Sequence, residues 1–457
     1  MKMKNLSLCH SRLTVLVAVL VLMIWSIGSD VSRKLCASDQ IPGAKQVRPI
    51  ALVGGTVHTI SGGVINEGIV LFDNGKLTAV GKDVAIPPNA EVIDCKGKQV
   101  YPGLFDGQSQ IGLVEIESVR ATVDSSETGS LNPNVRAEVA FNPDSELIPV
   151  TRANGVLLGL SAPIGALVAG KSAVMQLDGW TWEDMALKSG AGMHVRWPMP
   201  AGRGGRGGPG QGRRGGGGGV GEGQQMEELT SWIKDAKLYQ AARSQSGTQQ
   251  PLDARLEATL PLIEGKMPLV VEADQLQQIE SAIAFAKSHG LRLVIYGGYD
   301  AESCATLLRE SDTSVVLAGV YRVPQRRSDD YDASYTLPGR LHRAGVRFAI
   351  AAADRFGGSN IRNLPYHAAT AVAYGLDPTV ALRSITLTPA EIYGVSDRVG
   401  SLDVGKDATL FIADGDIFET PTQVVQAFVQ GRRVDLESRH TQLYRKYREK
   451  YLRSPNN

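Results

Sequence analysis

The sequence predicts an α/β protein: a barrel of parallel strands carrying a small β-sandwich built from both ends of the chain. Three observations predict this. A strand-and-turn block without helices sits near each terminus. Strand-like and helix-like runs alternate between the two blocks. The 457 residues also exceed what one small core organises, which favours a large domain plus a smaller one. The alternation over 104–395 suits a barrel or a doubly wound sheet, and its length fits the barrel better.

The first block, 48–102, is built of short β-runs. Ala51-Leu-Val53, Thr56-Val-His-Thr-Ile60, Gly68-Ile-Val-Leu-Phe72, Lys76-Leu-Thr-Ala-Val80 and Glu91-Val-Ile93 are separated by Gly54-Gly55, Gly62-Gly63 and Asp73-Asn-Gly75. Glycine and asparagine at these points are hairpin signals. The matching block, 398–434, holds Gly400-Ser-Leu-Asp-Val-Gly-Lys-Asp-Ala-Thr-Leu-Phe-Ile412 and Gln423-Val-Val-Gln-Ala-Phe-Val-Gln-Gly431. Between them, over 103–397, lie five short β-runs that begin at Gly155, Met267, Leu291, Ser314 and Val346. Apolar residues at helical spacing mark 276–288 and 301–310. Asp377-Pro378 is expected to cap one helix, and Thr388-Pro-Ala-Glu391 to open another as a capping box.

Several segments lie outside this frame. Lys2, Lys4 and Arg12 precede an apolar run over 13–25, the pattern of a secretory signal. Cys36-Ala37-Ser38 supplies a small-residue cleavage site, so 1–38 is expected to be a signal peptide, with a membrane anchor as the outcome if it is not cut. Export to the periplasm or the extracellular space follows. The stretch 201–225 is mostly glycine with Arg203, Arg206, Arg213 and Arg214, and cannot bury apolar surface; it is expected to be a disordered insertion. An RNA-binding role for it is disfavoured by export and by the lack of interleaved aromatics. The tail, 435–457, is basic with a helical pattern, and a solvated helix is preferred there over a membrane-surface contact.

Composition excludes some classes of partner. The formal net charge is +1, so no global field selects nucleic acid. Cys95 and Cys304 are the only cysteines after the leader, too few for a disulfide framework or a zinc cluster, and are expected to be buried. No Gly-x-Ser-x-Gly elbow is present.

The segment Tyr101-Pro-Gly-Leu-Phe-Asp-Gly-Gln-Ser-Gln110 resembles the first barrel strand of the amidohydrolase superfamily, Pro-Gly-hydrophobe-hydrophobe-Asp-x-His-x-His. Arg362-Asn-Leu-Pro-Tyr366, 368–376, 382–389 and the Gly400 block are similar to the imidazolonepropionase-like branch of that family. The resemblance implies a TIM-like (β/α)8 barrel, a small-molecule substrate, hydrolysis of carbon–nitrogen bonds other than peptide bonds, and zinc as the default metal. Here Gln108 and Gln110 stand where the family places two metal-binding histidines. Residues two apart in a strand share a face, so both are expected to line the pocket as substrate-binding groups. The middle-strand histidines are absent as well: Glu272 and Tyr296 occupy those approximate positions.

No metal ligand is therefore assigned, and no cofactor is expected. The catalytic candidates are Asp354, where the family keeps its general base, and Glu272. Asp354 reads equally well as a strand-end carboxylate paired with Arg355 or Arg362. Asp106 and Glu115 are further acids expected near the barrel mouth. Of the histidines, His194 ends a strand and can face the mouth. His289 is expected at a helix C-terminus, where a partly positive imidazole suits the dipole, and His367 near a helix start. The sequence supports a hydrolase with altered metal chemistry or a non-catalytic barrel that binds a small molecule or partner. Both are compatible with an oligomer.

Overall fold

The computed structural model describes residues 40–199, 221–244, 251–352 and 358–453. The expected leader, most of the glycine-rich insertion and Asp354 lie outside the described residues. The chain first forms β1 (Ile50–His58), β2 (Val64–Asp73), β3 (Lys76–Gly81), β4 (Glu91–Asp94) and β5 (Gln99–Pro102). The barrel strands follow: β6 (Leu104–Ser109), β7 (Val156–Ser161), β8 (Val168–Gln176), β9 (Ala186–Arg196), β10 (Leu269–Ala273), β11 (Leu293–Gly297), β12 (Ser314–Leu317) and β13 (Phe348–Ile350). Finally β14 (Leu410–Ala413), β15 (Val424–Val429) and β16 (Arg432–Val434) return to the first block.

Strands from both chain ends form one hydrogen-bonded sheet, ordered β16-β15-β14-β5-β1-β2-β3 with β4 also beside β1. Antiparallel pairing of β14 with β5 joins the two ends of the chain. The β2–β3 hairpin turns through Asn74 and Gly75 at φ 49° and 77°, the backbone that a two-residue turn requires. The expected two-layered sandwich is thus a single sheet that doubles back. Three strands separate Phe72 of β2 from Phe428 of β15 in the order, yet their rings meet edge to face at 5.1 Å. Leu52, Val57, Leu77, Cys95 and Leu410 fill the space between the layers.

The second sheet runs β6 to β13 in chain order and forms an almost closed barrel. All neighbours are parallel except β8, which is antiparallel to both β7 and β9. Its connections explain this. A parallel crossover needs a dozen or more residues, usually including a helix, and 162–167 between β7 and β8 are too few. The chain can only return as a hairpin. Inside the barrel, Phe105, Leu158, Val174, Val270, Val294, Val316 and Ala349 pack in layers, plugged by Ala390, Ile392 and Tyr393 from the 387–395 segment.

The barrel's seam lies between β13 and β6, and Asp106 spans it. The carboxyl Oδ1 accepts from the Ala352 N–H at 2.8 Å. Asp106 is fully buried, and among the described residues its Oδ2 has no hydrogen-bond partner. Tyr393 hydrogen-bonds the Gly107 carbonyl at 2.9 Å just below. Sheet and barrel are pinned together by Asp178, a buried carboxylate paired with Arg152 at 3.1 Å and with Arg432 of β16 at 3.3 Å.

Several sequence expectations need correction. Thr388 does not open a helix: the helix spans Leu387–Ile392 behind Thr386, and Glu391 pairs with Arg383 instead of capping. The insertion ends earlier than expected, because a helix missed in the sequence begins at Glu222 and runs to Ser244. Its Leu229, Trp232, Ile233 and Ala236 are buried at helical spacing, a pattern that starts only beyond the glycine run. Residues 301–310 split into a 3-10 turn, Ala301–Cys304, and a helix, Ala305–Glu310. His289 does end its helix before Gly290, at φ 69°, but burial and then Lys237 and Lys234 lower its pKa. Its imidazole is therefore not the expected dipole-stabilised cation. Other expectations hold: Asp377 caps its helix by accepting from Thr379 N–H at 2.8 Å, and Cys95 and Cys304 are buried free thiols.

Burial pushes the Asp106 pKa up to about 7, against the smaller opposing effects of the Ala352 and Gln108 backbone N–H groups. The folded state therefore keeps a proton that the unfolded chain releases near pH 4. The stability this group contributes is full below that value and is lost as pH rises towards 7. Asp106→Asn keeps an acceptor for Ala352 and removes the ionisation. Thermal unfolding should show the variant gaining on the native protein between pH 4 and 7; parallel pH profiles would show that Asp106 does not titrate this way.

Candidate active site at the barrel mouth

The C-terminal ends of β6, β9, β10 and β11 surround a cavity of about 380 Å³. Strand alternation decides what faces it. Val270 and Val294 belong to the barrel interior, so Glu272 and Tyr296, two residues further on, face the same interior nearer the mouth. Strand register then aligns a row: Arg196 of β9 pairs with Glu272 of β10, which pairs with Tyr296 of β11. One layer deeper, His194 pairs with Val270. Gln108 and Gln110 from the end of β6 complete the polar wall, with Glu117 at the rim.

The two glutamines therefore share the pocket as expected. Ser109 between them turns away and donates to the Leu160 carbonyl at 3.1 Å. Gln108 is 2% exposed, and among the described residues its Oε1 has no hydrogen-bond partner. The Nε2 of His194 is buried and unpartnered among the same residues. Each such atom costs on the order of 1–3 kcal/mol if it stays unsatisfied. A donor or acceptor supplied by a ligand would recover part of that cost.

Burial alone lowers the His194 pKa to about 3, so the imidazole is neutral at physiological pH. Glu272 borders the open cavity yet is ringed by protein; that burial raises its pKa, while Arg196 opposes the rise and Asp274 adds to it. Tyr296 is raised further above the phenol range by burial, then by Glu272 and Asp106, and remains a neutral donor.

Above this row a loop, 318–332, is tied down by charge. Arg322 forms a two-pronged pair with Asp274 just past β10 and lies over the Tyr299 ring at 5.5 Å. Gly297 makes this packing fit. Its φ is 107°, and a Cβ there would sit 2.8 Å from Asp274 Oδ1.

Of the four acids expected near the mouth, Glu272 alone lines the cavity among the described residues. Asp106 closes the seam below, Glu115 faces Asn142 at 3.5 Å, and Asp354 is not described. His367 is buried in the helix Leu364–Ala373, where its Nδ1 accepts from Val320 N–H at 3.1 Å. Arg196 was missed in the sequence, although alternation from His194 points to it. The Arg322–Asp274 clamp left no local signal, since its members are far apart in the chain. Among the described residues, no three His, Cys, Asp or Glu side chains are grouped closely enough to hold a metal ion.

Comparison with known proteins fits this architecture. The amidohydrolase family model matches residues 279–434, from the helix before β11 through β16. An amidohydrolase from Thermotoga maritima superposes with a TM-score of 0.72 at 25% identity, over 84% of this chain and 99% of that one. By sequence over 279–434 and by fold over most of its length, the chain is thus similar to the amidohydrolase superfamily. Within that superfamily it is similar to the imidazolonepropionase of Mesorhizobium japonicum, 28% identical over 162 residues, 35% of this chain and 37% of the relative. It is also similar to an adenine deaminase of Rubrobacter xylanophilus, 28% identical over 141 residues, 30% of this chain and 23% of that protein. The chain thus matches well under half the length of these curated relatives. The part of the chain covered by the family model excludes β6, with Gln108 and Gln110.

The buried His194 gives a direct test of the site's electrostatics. Because its folded pKa is depressed, the unfolded chain takes up a proton that the folded one refuses, and stability falls as pH drops from 6.5 towards 3. Imidazole nitrogen shifts in NMR should stay those of a neutral ring down to about pH 4, and titration near 6.5 would contradict the burial described.

Proposed function

We propose that this chain is an exported amidohydrolase whose barrel-mouth cavity takes a small polar molecule and hydrolyses a non-peptide carbon–nitrogen bond without the family's usual zinc. One observation carries the proposal: two neutral amides, Gln108 and Gln110, line the cavity where the family motif supplies paired imidazoles. The donor set around them does not suit zinc. It offers one imidazole, the Glu272 carboxylate set beside Arg196, a second carboxylate, Glu117, out at the rim, and two amide groups, which are poor zinc ligands. No step is therefore assigned to a metal.

The remaining groups support a proton-transfer route. Glu272, whose pKa is raised, suits a general base that takes a proton from the attacking water and returns it to the leaving nitrogen as the carbon–nitrogen bond breaks. Arg196 and the Tyr296 hydroxyl, its row neighbours, suit the stabilisation of negative charge developing on a carbonyl oxygen. Gln108 and His194 would hold the substrate's polar groups through their unpartnered atoms. Asp354 remains a proposed second carboxylate. Export rests on the 13–25 apolar run and its basic flank, and an oligomer is compatible with the reading.

A second reading, a non-catalytic binding barrel, is favoured by the same unpartnered atoms, which demand a ligand but no reaction. Turnover of a panel of cyclic amides, cyclic imides and N-acyl compounds separates the two. The hydrolase reading expects turnover that survives chelation and falls at least about a hundredfold in Glu272→Gln, with melting temperature unchanged. Turnover abolished by chelator would overturn the metal-free reading. Saturable binding without turnover, equal in both proteins, would establish the binding barrel.

A further inference from the structure

We propose that the C-terminal helix Arg439–Arg453 is a docking surface for anionic lipid headgroups at a membrane surface. The helix buries none of its side chains. At about 100° per residue, Leu443, Tyr444, Tyr447 and Tyr451 fall on one stripe, continuing from His440. All four are exposed: Leu443 39%, Tyr444 66%, Tyr447 49% and Tyr451 70%. A stripe of this length left bare on a solvated helix marks an interaction face.

Charge decides the occupant. Within the helix six cations (Arg439, Arg445, Lys446, Arg448, Lys450 and Arg453) stand against Glu449 alone, in a chain whose overall net charge is only +1. Their positions matter as much as their number. Arg448 borders one side of the stripe, while Lys446, Lys450 and Arg439 border the other. Arg445 and Arg453 are turned away and pair with Glu437 and Glu449. The Lys446 and Lys450 ammonium groups lie 5.9 Å and 5.7 Å from the ring centroids of Tyr447 and Tyr451, which gathers cation and aromatic on one side.

An apolar stripe flanked by cations on both sides fits the plane between acyl chains and negative headgroups. Tyrosine suits that depth, its ring in the apolar layer and its hydroxyl in water. A second copy of this helix fits worse, since it would bring like charges together along both flanks. Among the described residues no helix is long and apolar enough to cross a membrane, so the contact is peripheral.

The test is co-sedimentation of the full chain with vesicles of phosphatidylglycerol and phosphatidylcholine, and with vesicles of phosphatidylcholine alone. Expected is binding that favours the anionic vesicles, weakens at high salt, and drops at least about tenfold in the triple variant K446E/R448E/K450E. Y444S/Y447S/Y451S should bind more weakly yet keep the salt dependence. Neither variant alters a buried residue, so both should fold and melt as the native protein does. Equal binding to both vesicle types, or unchanged anionic binding in the charge-reversal variant, would overturn the proposal. So would a concentration-dependent dimer, seen by light scattering and lost in the tyrosine variant, without vesicle binding.

Discussion

Closure of a small barrel forces every second side chain of each strand into a shared interior, and the function of this chain depends on that constraint. Lower in the barrel the interior positions are apolar and pack in layers. At the mouth the same alternation delivers Gln108, His194, Arg196, Glu272 and Tyr296 to one cavity, from strands far apart in sequence. Strand register, and no local motif, sets Arg196, Glu272 and Tyr296 side by side. A one-residue slip in β10 would turn Glu272 into the helix layer and remove the acid from that row.

Closure is imperfect at one place. β13 and β6 do not pair as strands, and Asp106 bridges them with a side-chain hydrogen bond. The carboxyl that makes the bridge is driven towards its neutral form by burial, while the nearby His194 is driven towards its own neutral form. Their effects on stability have opposite signs with pH, so they partly cancel over the mildly acidic range. Both groups are therefore uncharged only at pH values between the two, on the acid side of neutrality.

Much of the fold was legible because strand periodicity and turn residues are local signals. Asp73-Asn-Gly75 marked a hairpin, and the C-terminal block from Gly400 marked the return to the first sheet. The antiparallel β8 was not legible, because its direction follows from the length of its connections and carries no composition signal. The helix Glu222–Ser244 was masked by the glycine run that precedes it. In the site, Gln108, Gln110, Glu272 and Tyr296 were found from motif position and strand alternation. Asp106 and Glu115 do not line the cavity among the described residues, since sequence gives residue type but not height or direction within the barrel. Alternation from His194 pointed to Arg196, whereas the Arg322–Asp274 clamp needed three dimensions.

The central claim is that amides stand in the cavity where a divalent ion would need imidazoles. It is tested most directly by elemental analysis of the protein purified without chelator and then equilibrated with zinc. The account predicts well under one zinc per chain after removal of free metal, as an incomplete ligand set cannot hold it. One tightly held zinc per chain, with nitrogen donors seen by X-ray absorption, would contradict it.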